Sequence, residues 1–419
     1  MTINSRLHLI MARLRHVDPG TLPPQAVTRL TYRFDRLRQI PAGIIDTAGS
    51  TFMLLIAVQA YQAGSTEKAL IAAGGNIGML LAPLAVQVVE KSRWTTSRAA
   101  AYISILGAFC FLIAAAVPLL PVFVVFSVAA LAATQALVPL MTQVYQDNYA
   151  PRERGRYYSR ALVLRVAFAA AFAELAGLYL NGNFSAFHWL LAVFAAAFCV
   201  SAFFLLRIPS HPLRPSGSTD PLRAVRYVLK DRVFTWMLFV WMLMGSANLM
   251  MVPMRIEYLA NPLYHINLDA HTIALLTSVI PSIARLIMGP IWGHVFDRIN
   301  FFVMRMILNL GFALGIAIFF SGSSMTGLVI GVCIFGAAAA GGDLTWSLWA
   351  TKFAPPERVA DYMSVHTFLT GLRGVIAPMI AYQLLASVPL GRLSWLAAGM
   401  IVAATTLLLP VIRYGHSKQ

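Results

Sequence analysis

The sequence predicts an all-α membrane protein with twelve transmembrane helices in two related six-helix bundles. Three observations carry that expectation. Hydrophobic residues make up 59% of the chain and charged residues only 11%, with a mean hydropathy of +0.71, too apolar for a soluble globule. Apolar runs of spanning length recur along all 419 residues, enough for about a dozen spans of roughly 20 residues. The chain also repeats itself, which is the mark of one unit written twice.

The repeat is clearest at two short charged hairpins. Pro290 to Arg305 (PIWGHVFDRINFFVMR) breaks an apolar run with Asp297-Arg298, then resumes it after Arg305. Pro83 to Arg98 (PLAVQVVEKSRWTTSR) carries the same order. An offset of 207 takes Pro290 to Pro83, Asp297 to Glu90, Arg298 to Lys91 and Arg305 to Arg98. A second repeat pairs Tyr149-Ala-Pro-Arg-Glu-Arg154 with Phe353-Ala-Pro-Pro-Glu-Arg358 at an offset of 204, and Tyr158 with Tyr362.

In chain order, residues 1–39 read as a basic arm with seven arginines against Asp18 and Asp35. No cleavage-site pattern follows a short apolar core, so no secretory signal is expected. Leu7, Ile10, Met11 and Leu14 have the spacing of a short helix lying on an anionic leaflet; a solvated basic tail fits equally. Residues 40–207 hold six apolar spans, near 41–63, 68–89, 98–119, 121–146, 158–181 and 186–207. Residues 208–232 form a polar linker, with an amphipathic helix opened by Asp220 and Pro221. Residues 233–419 hold six more spans, near 233–256, 270–293, 301–321, 324–351, 361–386 and 393–412, then a short tail.

Basic residues set the orientation. With the N-terminus in the cytoplasm, 26 of the 32 lysines and arginines lie on the cytoplasmic side. Lys68, Arg255 and Arg392 lie opposite, and Arg165, Arg285 and Arg373 fall within spans. The net charge of +16 therefore marks membrane topology, and nucleic acid is not an expected partner. Both termini are expected in the cytoplasm, the host membrane being a bacterial inner membrane. Cys110, Cys199 and Cys333 stand alone inside apolar runs, which supports neither a disulfide framework nor a metal site.

Twelve spans in two halves, the Asp297-Arg298…Arg305 hairpin between spans eight and nine, and the Pro-x-Glu-Arg loops together resemble the major facilitator superfamily. The resemblance covers the chain from Ile40 onward. It implies a transporter in which spans one, four, seven and ten line a central cavity, flanked by two, five, eight and eleven. The hairpin departs from the usual pattern: Asn300, Phe301 and Phe302 replace the glycine and two basic residues, and the first copy has Val86 where glycine is usual. Span five lacks the Gly-Pro motif of drug–proton antiporters, so no subfamily is assigned.

The hairpins and their neighbouring loops supply the expected cytoplasmic gate: Glu90, Lys91, Arg98, Asp297, Arg298, Arg305, Glu153, Arg154, Glu357 and Arg358. Asp297 sits where it can accept from the N-terminus of a helix in the other half. Arg298 and Arg305 are expected to hold carboxylates or helix C-termini across that interface. The alternative is that these charges only set topology.

Charges within spans are costly and are functional candidates by default. The acids are Asp46, Glu174 and Asp343; the bases are Arg165, Arg285 and Arg373. Arg165 and Glu174 are nine residues apart, on opposite faces of one helix, and should not pair. Depth favours other pairs. Asp343 and Arg373 both sit roughly 15–18 Å from the cytoplasmic end and are expected to pair; Asp46 and Arg165 lie at comparable depth. Permanent structural ion pairs are the alternative to carboxylates that exchange protons or meet substrate. Gln135, Gln143, Asn248, Trp346 and Trp349 can contact a solute, although packing or an interfacial aromatic belt explains each as well. His366 reads as a hydrogen-bonded structural histidine.

No nucleophile–base pair, nucleotide loop or metal spacing is present, so neither an enzyme nor a cofactor is expected. The expected activity is secondary transport of a small organic solute by alternating access, driven by a proton gradient, in a monomer within the lipid bilayer. The competing expectations are an uncoupled facilitator, an exporter of an amphiphile, or a transporter-like scaffold or receptor that moves nothing.

Overall fold

The computed structural model describes residues 22–212, 231–353 and 359–416. Twelve helical elements are found there: α1 (Pro24–Gln59), α2 (Ser65–Ser92), α3 (Thr96–Ala116), α4 (Leu120–Asn148), α5 (Pro151–Gly182), α6 (Phe187–Leu205), α7 (Arg232–Ala260), α8 (Ala270–Ala274, Leu275–Val279 and Ile280–Arg298), α9 (Phe301–Phe320), α10 (Met325–Phe353), α11 (Val359–Leu384) and α12 (Leu390–Thr406). No strand occurs among the described residues. Nine of these helices are long and apolar enough to cross a membrane, and the two parts of α2 pass together as a tenth. In α11, His366, Arg373 and Gln383 dilute the apolar residues, and α12 is shorter. Helices satisfy their own backbone polar groups, which is what hydrocarbon demands of a spanning segment.

The repeat read from the hairpins governs the packing. In the first half α1 packs on α5 and α6, α3 on α4 and α6, and α2 on α4. In the second half α7 packs on α11 and α12, α9 on α10 and α12, and α8 on α10. The two sets are the same set, displaced by six helices. Between the halves, α2 runs along α11 and α5 along α8.

One feature of the sequence reading changes. Helix α1 begins at Pro24, well before the apolar run, so residues 24–39 belong to the first helix and not to an arm. Asp35, Arg38 and Gln39 are buried there. They are tolerated because Arg38, Gln39 and the Tyr145 hydroxyl all donate to Asp35 Oδ1, at 2.8–3.2 Å. The short helix expected over Leu7–Leu14 and the amphipathic helix opened by Asp220 lie outside the described residues.

The second hairpin explains its unusual residues. Asn300 caps α9: its side-chain oxygen accepts from Phe302 N–H at 2.8 Å, and its amide donates to the Ile412 carbonyl at 2.9 Å. Phe301 and Phe302 are fully buried. An N-cap and two core aromatics thus stand where the family pattern has glycine and basic residues.

Helices α1 and α8 each contain one π turn, Ala48–Phe52 and Leu275–Val279. Such turns widen a helix locally and are common at functional sites. These two face each other across the interface, and Thr51 Oγ1 lies 2.9 Å from Thr277 Oγ1.

Close helix approach rests on glycine. A Cβ on Gly78 of α2 would sit 2.1 Å from the Ala132 carbonyl oxygen of α4. That neighbour is backbone and cannot swing aside. Gly78→Ala should therefore lower stability by about 1–3 kcal/mol through overpacking; an unchanged melting temperature would show that the α2–α4 crossing is looser than described.

Candidate functional site

The hairpin face carries the α2–α3 and α8–α9 turns, and the loop face carries the α1–α2 and α7–α8 connections. Between the halves lies a cavity of about 410 Å³. The first half walls it with Asp46 and Ser50 (α1), Asn76 (α2) and Thr134 and Gln135 (α4); the second with Pro253 (α7), Thr277, Ser278, Ser282 and Arg285 (α8) and Pro378 (α11). A smaller space of about 90 Å³ shares Asp46 and Thr134 with it and continues past Arg165 and Tyr158 to Arg38 and Tyr145. The combined space runs from mid-membrane depth toward the hairpin face.

Each half contributes a member of an ion pair to the lining of this space. Arg165 of α5 clamps Asp46 of α1 through Nε and Nη2, both at 2.5 Å. The two side chains remain 30% and 38% exposed, so water in the cavity reaches them. This is the pair that depth anticipated. In the second half, Arg285 Nη2 lies 3.0 Å from Asp343 Oδ2, with exposures of 42% and 67%.

The pairing expected between Asp343 and Arg373 does not form. Arg373 Nη1 donates to the Trp241 carbonyl at 2.6 Å, and its guanidinium lies where a Cβ on residue 245 would go, a place open only because that residue is Gly245. Equal depth left the direction around each helix axis undetermined. Helix α10 leans on α8 and α9, whereas α11 leans on α7 and α2, so the two side chains point to different neighbours. Arg285, an in-span base for which the sequence suggested no partner, takes the carboxylate instead.

The remaining candidates separate by burial. Gln135 lines the cavity. Gln143 donates to Asp147 on its own helix at 2.8 Å. Trp349 is fully buried, stacked on Phe234 at 4.7 Å, and donates to His366 Nδ1 at 2.8 Å. Trp346 lies 5.6 Å from the His366 ring. The Asn248 side-chain oxygen is buried without a hydrogen bond among the described residues. Glu174 avoids Arg165, as expected, and meets His271 of α8 at 2.7 Å.

The loop face is where the halves lock together. Lys68 of α2 donates to Glu257 of α7 at 2.6 Å, and both side chains are buried. Asn261 donates to the same oxygen at 2.6 Å, and the ammonium lies 5.3 Å from the Tyr382 ring centre. The Glu174–His271 pair, the Thr51–Thr277 contact and a Ser50–Ser278 contact at 3.3 Å join this end. Asp269 fixes the start of α8. Its partial burial is outweighed by the N–H and hydroxyl of Thr272, which donate to it at 3.0 and 2.8 Å and hold the carboxyl below its usual range. Sequence reasoning missed Lys68 and Glu257 because each stands near a span end, where charges are ordinary.

Of the expected gate charges, Arg305 is turned inward. It donates to Thr345 Oγ1 at 3.1 Å and stacks over the Trp241 ring at 4.5 Å, both within its own half. Lys91, Arg98 and Arg298 are exposed, and Glu90 and Glu153 are partly exposed. The side chains of Asp297 and Arg154, and all of Glu357 and Arg358, lie outside the described residues.

Two pseudo-symmetric helix bundles with charged residues in a cavity between them are the architecture of a membrane transporter. The family model described as Major Facilitator Superfamily matches residues 40–378 and again 258–417, and the chain belongs to that superfamily. No curated protein matches it in sequence. The fold is similar to that of a mutant of the nucleoside transporter NupG (TM-score 0.75, 14% identity, covering 91% of this chain and 99% of that one). It is also similar to a D-xylose-proton symporter (0.68, 16%, 91% and 97%) and to a POT family transporter in complex with a thioalcohol conjugated peptide (0.69, 12%, 93% and 96%). At these identities the likeness is one of fold.

Two outcomes are expected. Asp46→Asn and Arg165→Gln should each cost about 1–3 kcal/mol, between the exposed and the buried extremes. The double variant should cost less than their sum, and additive losses in melting temperature would show that the residues are not coupled. Glu257→Gln should leave Lys68 buried without a counter-charge and favour an open loop face. Spin labels at Thr66→Cys and Leu263→Cys would report this as a longer distance population; an unchanged distribution would remove the locking role.

Proposed function

We propose that the protein is a secondary active transporter that moves a small polar organic solute across a bacterial inner membrane by alternating access, coupled to protons. One observation carries this reading: the cavity between the halves is walled by Asp46 of the first half and Arg285 of the second, each held in an ion pair. A carboxylate held by an arginine in a wet cavity is able to take a proton and release that arginine, which links proton binding to the arrangement of the helices. A volume of about 410 Å³ falls within the usual range for small-molecule sites. The hydroxyl and amide groups of Ser50, Asn76, Thr134, Gln135, Thr277, Ser278 and Ser282 suit a solute rich in hydrogen-bonding groups. The buried tryptophans stand behind the cavity wall, which disfavours an amphiphile.

The positive-inside bias puts the hairpin face and both termini in the cytoplasm. On that orientation the Lys68–Glu257 lock between the halves lies on the outer side. The nucleoside, xylose and peptide transporters of similar fold support a small polar solute as the cargo class.

The test is reconstitution of the full chain in proteoliposomes, followed by flux of xylose, uridine, a dipeptide and lactate under an imposed pH gradient. Accumulation that a protonophore abolishes is the expected result. Flux indifferent to the gradient would overturn proton coupling, and absence of flux for every solute would favour the non-transporting reading.

A further inference from the structure

A neutral solute needs no guanidinium, yet the charges near the cavity lean positive. Asp46 offsets Arg165, and Asp343 offsets Arg285. Arg255 of α7 adds a third guanidinium, stacked over Phe335 at 4.1 Å and close enough to Arg285 for the two to repel. No carboxylate is paired with Arg255 among the described residues. Three guanidiniums thus stand against two carboxylates in a region of lowered dielectric, where an unmatched charge is costly and an anion is welcome.

The two pairs are not equally easy to part. Asp46 is held by two nitrogens of Arg165 at 2.5 Å and is the less exposed carboxylate. Asp343 meets Arg285 at 3.0 Å and is 67% exposed, while Arg285 itself lines the main cavity beside Ser282. Among the described residues, the other cationic groups on the helices next to Asp343 are engaged or distant. On α9, Arg305 is held by Thr345 and Trp241. On α11, Arg373 and His366 are held by Trp241 and Trp349. His294 of α8 stands nine residues closer to the hairpin face than Arg285.

Resting on the transporter reading above, we propose that the solute is an organic monoanion whose carboxylate or singly protonated phosphate group takes the place of Asp343 on Arg285. Asp343 accepts one proton as it leaves the pair, and Arg285 accepts one negative charge. The loaded carrier then has the same net charge as the empty one, so proton and anion cross together without net charge movement.

The experiment uses the full chain in nanodiscs and proteoliposomes, with lactate, benzoate and glycerol phosphate as anionic probes and xylose and uridine as neutral ones. Lactate or benzoate responding without glycerol phosphate would identify a carboxylate site; the reverse would identify a phosphate site. The anions should raise the wild-type melting temperature more in mildly acidic than in mildly alkaline buffer. Asp343→Asn mimics the protonated acid, so it should bind the anion about tenfold or more tightly in alkaline buffer, where few wild-type molecules are competent. Arg285→Gln should lose the response. The double variant Asp343→Asn/Arg285→Gln, which carries a neutral pair and is expected to fold, should lose it too. Anion flux should follow the pH gradient and ignore an imposed membrane potential. If xylose or uridine stabilises and is carried while the anions do neither, or if the double variant keeps the anion response, the monoanion assignment fails and the transporter reading stands. If no probe of either class binds or moves, both fail.

Discussion

A charge placed at hydrocarbon depth must find its partner inside the protein. In this chain that constraint decides which helices touch and where water is admitted. Arg165 binds Asp46, Arg285 meets Asp343, Lys68 meets Glu257 and His271 meets Glu174. Arg305 and Arg373 find no acid among the described residues and use Trp241, one through its ring and the other through its carbonyl. The four pairs fall into two kinds. Of those within a half, Asp46 and Arg165 line the cavity space together and Arg285 lines it for the second. Those between the halves stand toward the loop face, and the tightest of them is dry.

The two halves share a packing scheme but not an electrostatic one. Helices α5 and α11 occupy equivalent places and each carries an arginine, yet only α5 finds an acid, Asp46, on the helix it leans against. Its second-half counterpart α7 offers Arg373 a carbonyl and the empty space of Gly245. The second half moves its carboxylate to α10 and its partner to α8. Architecture set by helix packing is thus kept through duplication, while the charges, which depend on single side chains, diverge. A cavity with unlike walls has a direction, which a solute with one charged end is able to read.

What the sequence disclosed follows the same division. Spans, hairpins and the doubling were legible because they are properties of long runs and of turn residues repeated at fixed offsets. The Asp46–Arg165 pair was legible as equal depth on helices that pack together. The Asp343–Arg373 pairing was not, because depth leaves the angle around the helix open and the two helices lean on different neighbours. Asp35, Arg38 and Gln39 were hidden for another reason. A charged stretch ahead of an apolar run reads as solvated, and nothing local shows that Tyr145, more than a hundred residues later, closes a buried network around them. Asn300 looked like a loss from the hairpin motif until its side chain was seen capping α9.

The loop-face lock must be strong enough to hold and weak enough to release. Its dry ion pair gains Coulomb energy but has given up hydration, so its net contribution is far below the bare attraction. Opening that face wets Lys68 and Glu257 together, and each regains the water it lost. The hydroxyl contacts at Thr51–Thr277 and Ser50–Ser278 add about 0.5–1.5 kcal/mol apiece. A lock of this composition is worth a few kcal/mol at most. That is the scale at which a ligand's differential affinity for two states shifts their populations. A hydrophobic seal of the same area would gain more on closing and would have nothing to recover on opening. Polar contacts on both π turns therefore suit an interface that has to be broken in every cycle.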